Sequence, residues 1–157
     1  MNNLILSLVA GLGATLAIGV LSYAEVSLTE VVLLMAPFGA TAVLVFGVPS
    51  SPLAQPKNVI IGHFITASIG IAFSQYVEIT PITLAIATGL GVSAMLITKT
   101  THPPAGANPI LIMASGQGWS FLFTPVLIGA VVIVLVGKAL QLLQIQYLNP
   151  RLNGQKT

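Results

Sequence analysis

Long apolar runs with almost no charge are the feature that most constrains this chain. Five Lys or Arg and three Asp or Glu occur among 157 residues, and 55% of the residues are hydrophobic. Soluble domains carry about 25% charged residues, so this chain has too little polar surface to coat a water-soluble particle. We therefore expect an integral membrane protein of the all-α class.

The apolar runs predict about six membrane segments, since a transmembrane helix needs about 20 mostly apolar residues. The N-terminal run is interpreted as a retained span and not a cleaved signal peptide, because no Lys or Arg precedes it. Four spans and two segments broken by proline and glycine are predicted, the spans over residues 4–21, 59–77, 81–98 and 121–143, the broken segments over 28–48 and 99–114.

The second broken segment contains the most polar stretch of the chain, residues 99–109. It combines a lysine, a histidine, three prolines and an asparagine. Proline removes backbone donors, and non-helical polar backbone at membrane depth occurs only inside protein or beside a water-filled cavity. This stretch is therefore the first candidate for a functional site.

An internal repeat is indicated when the sequence is shifted by 67 residues. The shift aligns Pro37, Gly39, Ala40 and Thr41 with Pro104, Gly106, Ala107 and Asn108. It predicts one transmembrane domain over 1–157, with repeat one over about 1–77, repeat two over about 78–143 and a polar tail over 144–157. Three segments per repeat invert the second repeat and place the proline-broken helices at the centre, where transporters bind substrates.

The charges favour six crossings over the alternative of four full spans plus two half-helices. With six crossings the basic and acidic residues separate, with Lys57, Lys99, Arg151 and Lys156 on one side and Glu25, Glu30 and Glu78 on the other. Four crossings would move Lys57 to the side of Glu25. Basic loops stay in the cytoplasm, so both termini are expected to be cytoplasmic, in a multi-pass plasma-membrane protein.

Helix starts after the prolines offer free N–H groups and a partial positive charge, which favour an anion. The candidate substrate-binding residues are Gly39, Ala40, Thr41, Lys99, His102, Gly106, Ala107 and Asn108. His102 is also a candidate proton-linked switch. Alternatively, the glycines only allow close helix crossing, His102 caps a neighbouring carbonyl, and Lys99 is a topological anchor. His63 is interpreted as a packed or interfacial residue.

An enzyme is not expected from this inventory. Two histidines 39 positions apart, without any cysteine, do not make a metal ligand set. There is no serine–histidine–acid arrangement and no phosphate loop, and no clustered basic patch indicates nucleic acid. We expect no metal and no cofactor.

With these residues in hand, the chain resembles the HPP family of bacterial and plant integral membrane proteins, which is named for the motif at residues 102–104. Three blocks carry the resemblance, residues 37–42 (PFGATA), 51–63 (SPLAQPKNVIIGH) and 101–109 (THPPAGANP), within a match over about 4–143. The family is usually described as four-spanning. Cyanobacterial and chloroplast members look like nitrite transporters, so the resemblance implies nitrite movement across a plasma or envelope membrane.

Two hypotheses follow for the function. The first is transport of a small inorganic anion, nitrite being the favoured ion, by a homo-oligomer in the lipid bilayer. The second is a membrane scaffold or sensor that transports nothing, in which the motif is packing architecture.

Overall fold

The fold is all-helical in residues 3–28 and 31–148, which the computed structural model describes, as the sequence predicts. The six α-helices are α1 Asn3–Ser27, α2 Pro37–Ala42, α3 Pro56–Tyr76, α4 Pro81–Ile97, α5 Asn108–Ser115 and α6 Ile128–Leu143. Tighter or wider helical turns extend several of them: Val43–Gly47 after α2, Pro103–Ala107 before α5, Leu122–Leu127 before α6 and Gln144–Leu148 after it.

Proline fixes where several of these helices begin. Helices α2, α3 and α4 each start at a proline, whose missing N–H costs nothing in the first turn. At α4 the start is reinforced by a capping box, in which Thr80 and Thr83 each accept from the backbone N–H of the other. Helix α5 ends at Gly116, which has a positive φ of 64°, a conformation that glycine adopts without steric cost.

Three of the helical stretches are long and apolar enough to cross a membrane: Asn3–Ser27, Pro56–Tyr76 and Leu122–Gln146. Helix α4 has 17 residues, about 25 Å of helix, against a hydrocarbon core of about 30 Å. The two proline-broken segments are helical over only part of their length, because residues 31–35 and 100–102 are not helical.

A carboxylate holds the non-helical part of the first broken segment. Glu25, near the end of α1, accepts hydrogen bonds from the backbone N–H groups of Leu33 and Leu34, both at 2.8 Å. Charged acceptors make the stronger hydrogen bonds, so Glu25 supplies partners for backbone that has left helical geometry.

The second broken segment runs alongside α3 from one end to the other. Asn58, in the first turn of α3, donates to Thr101 O at 2.9 Å. Gln75, in its last turn, donates to Gln117 O at 3.2 Å. Residues 101–117 therefore cover the same depth as α3 and run in the same direction.

Two glycines provide matching close approaches in the two halves of the chain. A methyl group at Gly62 of α3 would lie 2.9 Å from Thr100 O, and one at Gly129 of α6 would lie 3.2 Å from Leu33 O. Gly129 follows Gly62 by 67 positions, and Thr100 follows Leu33 by the same number. Each half therefore packs its third helix against the broken segment of the other half.

The same pair of reciprocal contacts recurs about two helical turns further along α3 and α6. A methyl group at Gly70 would meet Ile112, and one at Gly137 would meet Val45. These pairs are again related by 67 positions. Each broken segment therefore runs parallel to the helix of the other half that it touches.

Three charged residues used in the predicted sorting, Glu30, Arg151 and Lys156, lie outside the described residues, as does the predicted tail from residue 149 onward. The part of that tail that is described, Gln144–Leu148, is helical, so helical structure passes beyond the predicted end of the last span at residue 143.

Substituting Gly70 tests the close approach between α3 and the second broken segment. A methyl group there would lie 2.8 Å from Pro109 Cα, which is backbone and cannot swing aside. We expect Gly70→Ala to lower the free energy of unfolding by about 1–3 kcal/mol, the cost of overpacking a well-packed core. Thermal unfolding in detergent measures it.

Gly89→Ala is the matched control. Gly89 lies inside α4 with nothing within 4 Å of a methyl group, so alanine fits there and favours the helix by about 0.5–1 kcal/mol. Equal melting temperatures for the two variants would contradict the predicted close approach.

Candidate functional site

Five fully buried polar side chains form one hydrogen-bonded group, which we call the polar cluster: Thr41, His63, Thr66, His102 and Asn108. The first broken segment contributes one of them, α3 two, and the second broken segment two. The buried Phe38 ring packs against the group, with its centroid 5.5 Å from that of the His63 ring. The polar cluster therefore lies where the two broken segments meet α3.

His102 is positioned by the two prolines that follow it. A residue before proline is restricted to extended backbone, and His102 has φ −137° and ψ 100°. Its Nδ1 lies 2.8 Å from Leu53 O. A carbonyl only accepts, so the proton of neutral His102 is on Nδ1 and its Nε2 is an acceptor.

Thr41 is the junction of the polar cluster. Its Oγ1 lies 2.9 Å from His63 Nε2, 3.0 Å from His102 Nε2 and 3.1 Å from Pro37 O. One hydroxyl thus joins both imidazoles, whose ring centroids are 5.1 Å apart. The hydroxyl has one proton to donate and two lone pairs, so it cannot donate to all its neighbours at once.

Asn108 supplies the other end of the polar cluster. Its Nδ2 lies 3.0 Å from His63 Nδ1, 3.2 Å from His63 O and 3.0 Å from Thr66 Oγ1. In this orientation the amide nitrogen faces acceptors, whereas the reverse orientation would place the amide oxygen beside the carbonyl oxygen of His63. Asn108 Oδ1 is buried and has no hydrogen-bond partner within the described part of the chain.

The structure brings three of the eight predicted site residues into the polar cluster, namely Thr41, His102 and Asn108. The amide donors predicted for an anion at Asn108 are directed at His63 and Thr66. The other five predicted residues lie outside the cluster, with exposed Gly39, Ala40, Lys99 and Ala107 and half-buried Gly106.

Sequence reasoning missed His63 and Thr66 as members of the site. The interpretation of His63 as packed is correct in that the ring is fully buried, but its partners are polar. The signal in the sequence was the spacing of three between His63 and Thr66, which places both on one face of α3. Within residues 3–28 and 31–148, no group of three or more His, Cys, Asp or Glu could hold a metal ion.

A helical membrane protein with two proline-broken segments around a buried polar cluster is the class that this fold and site define. A family model described as "HPP, transmembrane region" matches residues 2–148. The chain therefore belongs to the HPP family, as the motif at residues 102–104 indicates.

Two curated relatives from Dictyostelium discoideum, each named simply as a transmembrane protein, are 36% and 35% identical to this chain over 128 residues. Each alignment covers 76% of this chain, but 45% of the first relative and 41% of the second. This chain thus matches less than half the length of the curated relatives. No solved structure matches it.

Removing the Asn108 amide should destabilise the protein. Asn108→Ala leaves the buried His63 Nδ1 without its donor, and a buried unpaired polar group costs about 1–3 kcal/mol. We expect a lower melting temperature in detergent. Ser115→Ala is the control, since Ser115 is an exposed residue in the last turn of the same helix and its loss should change stability by less than about 0.5 kcal/mol. Equal melting temperatures for the two variants would contradict the hydrogen bonds assigned to Asn108.

Proposed function

We propose that this protein transports a small inorganic anion, with nitrite as the favoured substrate, across a membrane through the region where the two broken segments meet. The polar cluster is the observation that carries the proposal. Buried polar and ionisable groups are costly in membrane proteins and mark substrate and ion pathways. Here two histidines, two threonines and an asparagine are gathered in a chain with 5% charged residues.

The proposed topology has six crossings arranged as two inverted repeats. It is supported by the second broken segment, which runs the full depth of α3, and by the reciprocal glycine contacts separated by 67 positions. With this topology Lys57 and Lys99 fall on one side of the membrane, and Glu25 and Glu78 on the other. The positive-inside rule then gives cytoplasmic termini, and we propose the plasma membrane as the location.

Nitrite is proposed because the resemblance to cyanobacterial and chloroplast family members implies it, and because the site suits a small ion. The polar cluster contains no carboxylate that would repel an anion. The fold would then resemble transporters that place substrate near the bilayer midplane between broken helices.

A second candidate function, a membrane scaffold or sensor that transports nothing, is favoured by one observation. The N–H and O–H donors of the polar cluster all have partners inside the protein. A network with this pairing could act only to hold α3 and the two broken segments together, because satisfied buried networks rigidify a core.

Nitrite flux into proteoliposomes tests the proposal. We expect wild-type protein to admit nitrite above the leak of protein-free vesicles, with nitrate, formate and chloride as competitors. Flux through Asn108→Ala should fall by roughly tenfold or more, since a lost buried hydrogen bond is worth about 1–3 kcal/mol.

Ser115→Ala should retain wild-type flux. Folded wild-type protein that admits no nitrite under either direction of pH gradient would overturn the nitrite proposal. If Asn108→Ala lost assembly but its folded fraction kept its flux, the scaffold function would be favoured.

A further inference from the structure

We infer that the polar cluster binds one proton, at His102 Nε2, together with the transported anion, so that the protein moves the two as a neutral pair. The inference rests on the proposed function and adds the co-transported ion. The geometry that carries it is the set of three groups around Thr41 Oγ1: His63 Nε2, His102 Nε2 and Pro37 O.

Every hydrogen bond of the neutral polar cluster has one direction. Asn108 Nδ2–H donates to His63 Nδ1, so the proton of neutral His63 is on Nε2 and is donated to Thr41 Oγ1. At the other end, Leu53 O fixes the His102 proton on Nδ1. His102 Nε2 then needs a donor, and the Thr41 hydroxyl is the one beside it. The unused valence that remains is an acceptor, Asn108 Oδ1.

The polar cluster can accept one added proton at His102 Nε2, and the only rearrangement needed is a rotation of the Thr41 hydroxyl. A new N–H bond forms at His102 Nε2, with a proton taken from the aqueous phase. Thr41 Oγ1 then accepts from both imidazoles through its two lone pairs and turns its own proton to Pro37 O, 3.1 Å away. This bond to the carbonyl four residues earlier is one that helical threonines commonly make.

His63 offers no such place. Its free nitrogen, Nδ1, faces the amino group of Asn108 at 3.0 Å, so a proton there would set two donors against each other. The amide cannot simply flip to help, because His63 O would then lie beside Asn108 Oδ1 instead of a donor. The polar cluster therefore holds one extra proton, and His102 holds it.

Within residues 3–28 and 31–148, no charged side chain faces a protonated His102. Thr41 faces it from α2, the Leu53 carbonyl from the loop before α3, and His63 from α3. Among the described residues the remaining charged groups lie elsewhere: Lys57, Glu78, Lys99 and Lys138 are exposed, and Glu25 binds the amides of the first broken segment. Helix α4 contributes no ionisable side chain within Pro81–Ile97.

An uncompensated cation in a membrane interior is costly, at about 2.5–3.5 kcal/mol or more. An anion beside His102 offsets that cost. The two binding events are then linked: the anion raises the affinity of the site for the proton by the same factor as the proton raises its affinity for the anion. A monovalent anion and one proton then cross together. A pH gradient drives the anion, and the pair carries no net charge across the membrane.

Nitrogen-15 NMR of the histidine rings tests the inference without requiring flux. The chain contains two histidines, so protein labelled at histidine and reconstituted in nanodiscs gives a simple spectrum, assigned with His102→Asn. We expect His63 to keep one ring proton from about pH 8 to about pH 5, while His102 changes from the Nδ1–H form to the doubly protonated form. Sodium nitrite should raise the midpoint of the His102 transition by about one pH unit, a tenfold linkage, and sodium gluconate should leave it unchanged.

Two Thr41 variants test the role of the hydroxyl. Thr41→Val keeps the shape but cannot accept from His102, so its midpoint should fall by about one unit or more and should no longer respond to nitrite. Thr41→Ser keeps the hydroxyl and should behave as wild type. A valine variant that titrates like wild type would overturn the assignment of Thr41, and with it the proton site.

The outcomes separate this inference from the proposed function. Nitrite flux with a His102 midpoint that ignores nitrite would leave transport intact and overturn proton coupling. Protonation of His63 before His102, or of neither ring with nitrite present, would overturn the proton site whatever the flux. Absence of nitrite flux would remove the transport proposal, whereas ordered protonation of His102 would still support the site itself.

Discussion

One hydroxyl, Thr41 Oγ1, links both broken segments to α3. It belongs to the first segment and bonds to His102 of the second and to His63 of α3. In a lipid-embedded core a polar group without a partner costs several kcal/mol, so separating these three elements, or sliding them by one helical turn, would break costly bonds. Apolar contacts, such as Phe38 of the first broken segment against Gly129 of α6, also hold the segments in place. They are less directional than the hydrogen bonds.

The helices were predictable from sequence because their signals are local. Proline at the first position sets the starts of α2, α3 and α4, and apolar length sets the extent of the long spans. The reading of the polar stretch as an interrupted segment is also confirmed, since proline pairs restrict the preceding residue and remove donors. The helix ends were less predictable: α1 continues to Ser27, six residues beyond its predicted end at residue 21.

Much less of the site was predictable, because its bonds join distant parts of the chain. His63 bonds to residues 22 and 45 positions away, and Thr41 and His102 are 61 positions apart. The spacing of apolar residues along a single helix carries no information on such long-range pairs. The shift of 67 residues did pair Thr41 with Asn108, and the structure shows that both bond to His63. It could not reveal that His63 lies between them, because a histidine in an apolar helix has the same pattern whether it packs against aliphatic side chains or against polar ones.

The cost of burying unpaired or charged groups decides which protonation state of the polar cluster is favoured without substrate. Neutral groups that are fully paired cost little to bury, whereas an unpaired acceptor costs about 1–3 kcal/mol and an isolated charge costs more. The neutral network leaves one acceptor unpaired, Asn108 Oδ1, and every donor paired. The unpaired group therefore lies at Asn108, at the end of the network opposite the Leu53 carbonyl. A network that is nearly satisfied when neutral needs no bound ion to be stable, and under the proposed coupling an anion would offset part of the cost of its one added proton.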